Sequence, residues 1–128
     1  MSQLIETKFE YNEASYEFDV RDADQSERLE KALDAMKECE KKNPKDGKAS
    51  AIIRAQCNMI KRFFDDVFGD GAGNAVCTEK SNLQVCYDAY EKFLLMVREQ
   101  KESIVGMTNV FAKYSNRQQR RAAERAHK

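Results

Sequence analysis

The first apolar positions alternate with polar ones, as in an extended chain half-buried on one side. Ile5, Thr7, Phe9 and Tyr11 share one face, and Tyr16, Phe18 and Val20 share the face of a second stretch. This pattern predicts a β-hairpin over about 5–20, joined through Asn12-Glu13-Ala14-Ser15. The absence of an Asn-Gly pair predicts a loop longer than a two-residue turn. One face of the hairpin is apolar and an isolated hairpin is marginal in water, so something must pack on it.

The spacing then changes to steps of three and four. Leu29, Ala32, Leu33, Met36 and Cys39 form one stripe of a helix predicted over about 24–42, with Asp24 and Glu27 at capping-box spacing. Asn43-Pro44-Lys45-Asp46-Gly47 ends it, because proline excludes helical geometry from its predecessor. Ser50 offers a cap for a second helix, about 50–68, whose apolar residues cover more than a narrow stripe. That breadth marks it as the central, most buried helix. Glycine-rich Gly69–Gly73 closes it, Ala75-Val76-Cys77 suggests a short helical turn, and Ser81-Asn82 caps a last helix over about 82–112. Its stripe runs through Cys86, Tyr90, Phe93, Leu94, Val97, Ile104 and Val105, and Gly106 is a point of weakness. From Ser115 the apolar pattern runs out. The fold class is therefore mainly α with a short N-terminal β-hairpin: three main helices on one core, residues 1–114 as a single domain, and 115–128 as a flexible basic tail.

Composition narrows the classes of function. Only 25 of the 128 residues are Leu, Ile, Val or Phe, close to the ~20% below which highly charged chains stay disordered, so the core is thin. Lys and Arg balance Asp and Glu at 22 each. The balance is uneven along the chain: residues 1–47 carry thirteen acids against eight bases, and residues 113–128 carry six bases against Glu124. Opposite charge at the two ends favours self-association or charged partners. No apolar run reaches the ~20 residues that cross a bilayer, and Met1–Glu6 lacks the basic-then-apolar order of an export signal, so a soluble, intracellular protein is expected.

Little in the chain suits catalysis. The single histidine, His127, stands one residue from the end of the sequence, where packing rarely holds a catalytic base. Cys39, Cys57, Cys77 and Cys86 have no CxxC spacing and three of them fall on apolar positions, which reads as free buried thiol and predicts no metal or other cofactor. Asp65-Asp66 are adjacent on a helix and point about 100° apart. Gly69-Asp70-Gly71-Ala72-Gly73 follows a helix and lacks a Gly-Lys-Ser/Thr ending, so it reads as a connector and not as a phosphate loop. Two partner-binding candidates remain. Phe63 and Phe64 form an aromatic stripe that belongs to the core unless the monomer leaves it uncovered. Arg117, Arg120, Arg121 and Arg125 can pair with carboxylates or phosphates, but with no interleaved aromatics they are poorly suited to stacking on single strands.

The order of features resembles a family. Tyr16-Glu17-Phe18-Asp19-Val20, Asp22-Ala23-Asp24, Ile53–Cys57, Phe63-Phe64-Asp65-Asp66-Val67-Phe68-Gly69 and the ending Asn116-Arg117 to Arg121-Ala122-Ala123 look like small phage and prophage proteins of Gram-positive bacteria. Those proteins are encoded among tail genes and resemble tail assembly chaperones of long-tailed phages. The resemblance implies a non-enzymatic chaperone in the bacterial cytoplasm that coats the tape measure protein, recruits tail tube subunits and self-associates. Two other readings stand beside it: a permanent structural component of the tail, and a small nucleic-acid-binding protein using its basic tail.

Overall fold

Six Phe side chains, Phe9, Phe18, Phe63, Phe64, Phe68 and Phe93, meet at one point in the computed structural model, and every element of the domain is arranged around them. Their ring centroids lie 5.2–6.2 Å apart in stacked and edge-on pairs, a spacing that adds about 0.5–1.5 kcal/mol per pair beyond area burial. The structure describes residues 5–126. Its order is β1 (Lys8–Tyr11), β2 (Ala14–Glu17), α1 (Ala23–Lys42), α2 (Ala49–Phe68), α3 (Ala72–Cys77) and α4 (Leu83–Ala126). The mainly helical architecture with an N-terminal antiparallel hairpin is the one the periodicity predicts.

The hairpin turn is tighter than expected. Tyr11 pairs with Ala14, which leaves only Asn12 and Glu13 as the turn, at φ 50° and 67°. Both central residues are left-handed, as the twist of a two-residue hairpin demands, and Glu13 bears a strain that glycine would not. The Asn12 amide donates to the Val76 carbonyl and anchors the turn on α3. Phe9 and Phe18 deliver the apolar face to the core.

Two helix starts differ from expectation by one or two residues. Asp22, not Asp24, is the N-cap of α1: its carboxylate accepts the Gln25 N–H at 3.0 Å. Gln25 at the third helical position does not close a capping box, because its side-chain oxygen accepts from the Asp19 N–H instead. At α2, Gly47 takes φ +103° and turns the chain early enough that Lys48 is the cap and Ser50 lies inside the first turn. Asn82 caps α4 as expected, accepting from the N–H groups of Gln84 and Val85.

The largest departure is at the C-terminal end. α4 does not stop near 112 with a loose tail beyond it; it runs 44 residues to Ala126. Once its first turns are nucleated and packed, each further residue costs little. Residues 117–126 are Arg, Gln, Ala and Glu, all strong helix formers.

Candidate protein-interaction surface

α4 carries one row of residues at alternating steps of four and three. Its first part, Cys86, Tyr90, Phe93, Val97 and Gln100, packs on the domain core. Gln100 is fully buried and ties both ends of the hairpin to the helix. Its Oε1 accepts from the Val20 N–H, and its Nε2 donates to the carbonyls of Phe18 and Glu6, all at 2.8 Å.

The same row continues past the domain through Ile104, Met107, Phe111 and Tyr114. Ile104 still touches the core, but from Val105 to Arg121 every side chain described is exposed. Val110 is 66% exposed and Phe111 75%, so the one phenylalanine outside the aromatic core stands in water. Residues 105–126 project about 33 Å from the body at the α-helical rise of ~1.5 Å per residue. Thr108 Oγ1 bonds back to the Ile104 carbonyl at 3.0 Å, and Arg98 pairs with Glu102 across one turn at the base of the projection. Gly106 sits in this helix with open space around it and interrupts nothing.

The basic candidates lie on this projection. Arg117, Arg120 and Arg121 are exposed on a helix and not on a loose tail, with Arg121 continuing the row after Tyr114. Arg125 is on the same helix, though its side chain lies outside the described residues, as does His127. The aromatic candidates do not join them. Phe63 is 1% exposed and Phe64 0%, because the hairpin and α4 close over α2 and Phe9 and Phe93 pack on its rings. They hold the core and offer no partner surface. Met107, Val110 and Phe111 take their place, and the continued four-three spacing beyond Ile104 is the sequence signal that marks them.

A second apolar feature lies at the opposite end of α4. Between α1, α2 and the first turns of α4 is a groove of about 510 Å³ lined by Met36, Glu40, Gln56, Met59, Ile60, Leu83, Gln84, Tyr87 and Tyr90. Glu40 is the one charged side chain in that lining. It faces Tyr90, whose hydroxyl pKa is raised by burial and by the Glu40 charge.

The groups that could have carried other chemistry are committed to structure. Asp65 accepts the Gly73 N–H at 2.7 Å, so the start of α3 is occupied by the protein's own carboxylate. Asp66 points to solvent. Cys57, Cys77 and Cys86 are buried and gathered from α2, α3 and α4 into one cluster, an arrangement the linear spacing does not reveal. Among the described residues no three His, Cys, Asp or Glu side chains are placed to hold a metal ion. Burial pushes the Cys57 thiol up from its ordinary value of 9.0 to about 11, with neighbouring Cys86 adding to the shift. Burial also raises Cys77 and Cys86. A thiol that ionises later in the folded state than in the unfolded one removes stability as pH rises, here between about 9 and about 11. In a disulfide-exchange assay at pH 8, Cys39, which is partly exposed, should react first. The other three thiols should wait for global opening, at least ~100-fold slower. Four equally fast thiols would contradict this burial.

DUF6673, a family of unknown function, matches residues 12–124. The chain belongs to this family. Comparison with curated proteins and with solved structures gives no match. The DUF6673 match takes in the hairpin turn, the core apart from Phe9 on β1, and nearly all of the projecting helix. No helix among the described residues is long and apolar enough to cross a membrane.

Proposed function

We propose that this DUF6673 protein is a non-catalytic, chaperone-like binding protein for phage tail assembly, which holds the tape measure protein, and through it tail tube subunits, by the projecting half of α4. The observation that carries this reading is the exposed row Met107, Val110 and Phe111 followed by Arg117, Arg120 and Arg121 on one continuous helix. An amphipathic helix with apolar anchors at three-four spacing is a standard way to hold a second helix, and apolar area of this kind in water marks an interaction site. Basic residues beyond the anchors favour an acidic helical client and set its direction. The order of features that resembles tail-cluster proteins supplies the identity of the client.

Co-expression with the tape measure protein of the same tail gene cluster tests the reading. The wild-type chain should co-purify with it, and Phe111→Asp should lower recovery at least tenfold, or about 1.4 kcal/mol. Truncation after Tyr114 should weaken recovery less and leave the melting temperature within about 2 °C, since every side chain described beyond that point is exposed. Recovery unaffected by Phe111→Asp would remove the projection as the contact surface. Tight binding to nucleic acid that falls steeply with salt and vanishes on truncation would assign the arginines to phosphates. Persistence of the protein in finished tails would make it a structural component.

A further inference from the structure

The row on α4 keeps step more strictly than packing on a globular core requires. Cys86, Phe93, Gln100, Met107, Tyr114 and Arg121 stand seven residues apart, and Tyr90, Val97, Ile104, Phe111 and Gln118 interleave with them at the same repeat. A straight α-helix drifts by about 20° every seven residues, so a seam held to seven wraps left-handed around another helix. At Tyr90 and Phe93 that other helix is α2, whose Phe63 ring lies 5.2 and 5.8 Å from theirs between centroids. From Met107 onward every described side chain of the seam is exposed.

The seam changes chemistry along the projection. Met107 and Phe111 are apolar, and Arg121 sets a permanent cation at a seam position one heptad beyond Tyr114. The flanks differ as well. Val110 and Arg117 each precede a seam position on one side, while Thr108 and Ser115 follow seam positions on the other and are small. The Thr108 hydroxyl is already bonded to the Ile104 carbonyl. Lys113 and Arg120 fall on the outer face by the same register.

We propose that the projection takes one helix of another protein in coiled-coil packing. That helix has its own heptad repeat, apolar against Met107 and Phe111, with a carboxylate at the seam position against Arg121 and a second carboxylate beside Arg117. Two observations select this occupant: the seam continues the one α2 fills nearer the domain, and a cation at a seam position calls for an anion across it. A second copy of the chain fits badly. In parallel, two Arg121 guanidinium groups would share one layer; antiparallel about Tyr114, Arg121 would enter the layer of Met107. Either pairing desolvates a cation without a partner. The inference rests on the reading of the projection as the client surface and deepens it: the client is chosen by where its acid stands in the heptad, and general acidity is not enough.

Synthetic helices of about four heptads, titrated into the full-length chain and followed by fluorescence anisotropy, test this. Two of them share composition and net charge: one has Glu at the seam position after the apolar layers and Gln on the outer face, and the other exchanges the two. The seam-Glu helix should bind at least tenfold tighter than the outer-Glu helix. Arg121→Glu should abolish that preference and favour, at least tenfold, a helix with Lys at the same seam position. Arg120→Glu makes the same charge change on the outer face and should leave the preference intact. Both arginines are exposed and both replacements are good helix formers, so the circular dichroism spectrum and melting temperature should match the wild type. Equal affinity for the seam-Glu and outer-Glu helices, binding of neither, or the same response from both arginine variants would overturn the proposal. Self-association that blocks the seam-Glu helix and is lost in Arg121→Glu would also overturn it, by giving the seam to a second copy. If the helices fail to discriminate while capture of the tape measure protein still depends on Phe111, the heptad code falls and the contact surface stands. If they discriminate while no tape measure protein is captured, the code stands and the identity of the client falls.

Discussion

Gly73→Ala should destabilise the fold by about 3 kcal/mol or more, although alanine is the better helix former by about 1 kcal/mol. A Cβ at position 73 would overlap the Lys61 carbonyl oxygen and stand 2.7 Å from the Lys61 Cα, both of them backbone. Nothing there can rotate away. α3 would have to lift from α2, breaking the Asp65 bond to the Gly73 N–H and loosening Val76 and Cys77 from the core. Overpacking costs of this kind run to about 3 kcal/mol when side chains can yield and more when they cannot. Gly106→Ala is the matched control, because that glycine is helical and has open space around it. It should raise stability by about 0.5–1 kcal/mol. Opposite signs for one chemical change at two helical glycines are readable in a pair of thermal melts, and a stable Gly73→Ala would show that α3 does not lie against the Lys61 backbone.

Gln100→Leu should cost about 2–5 kcal/mol. The side chain makes three hydrogen bonds at 2.8 Å to the backbone of the hairpin's two ends. Leucine fills much of the volume but leaves the Val20 N–H and the Phe18 carbonyl without partners, at about 1–3 kcal/mol each. Gln100→Glu gives a sharper readout. An ionised carboxylate can accept from the Val20 N–H but faces the two carbonyls with no proton to donate, so burial raises its folded pKa above the unfolded value. This variant should be least stable at neutral pH and recover as pH falls through that range, when a protonated carboxyl can donate again. A flat pH response relative to wild type would mean that residue 100 is not the clamp.

The parts of this fold that a sequence discloses are those set by local periodicity. Phe9 and Phe18 announce the hairpin and the Leu29-to-Cys39 stripe announces α1, because side chains that alternate or recur at three-four spacing must share a face. The tight turn at Asn12-Glu13 is hidden because glutamate seldom takes positive φ, and only the anchoring of Asn12 on Val76 makes it tolerable. Gln100 is hidden for the opposite reason: a polar residue in an apolar row reads as a break until its three partners, far away in sequence, are seen. The thiol cluster needs α2, α3 and α4 in place before Cys57, Cys77 and Cys86 meet. Residues 115–126 read as a loose tail because they have no apolar row to bury, yet they extend a helix already nucleated by a packed segment. That difference turns dispersed arginines into one basic end of a helical projection. The same logic reverses the aromatic candidates: Phe63 and Phe64 are consumed by the core, and Phe111, a single residue beyond its reach, is left to meet a partner.

Hydrogen exchange on the chain with and without a co-expressed tape measure protein tests the projection most directly. In the chain alone, at concentrations too low for self-association, amides of 105–126 should exchange at least ~100-fold faster than those of α2, since every side chain described there is exposed. With client bound, protection should rise over 105–126 and stay unchanged in the hairpin. Protection that appears in the hairpin or α2 while 105–126 exchanges as before would contradict the account.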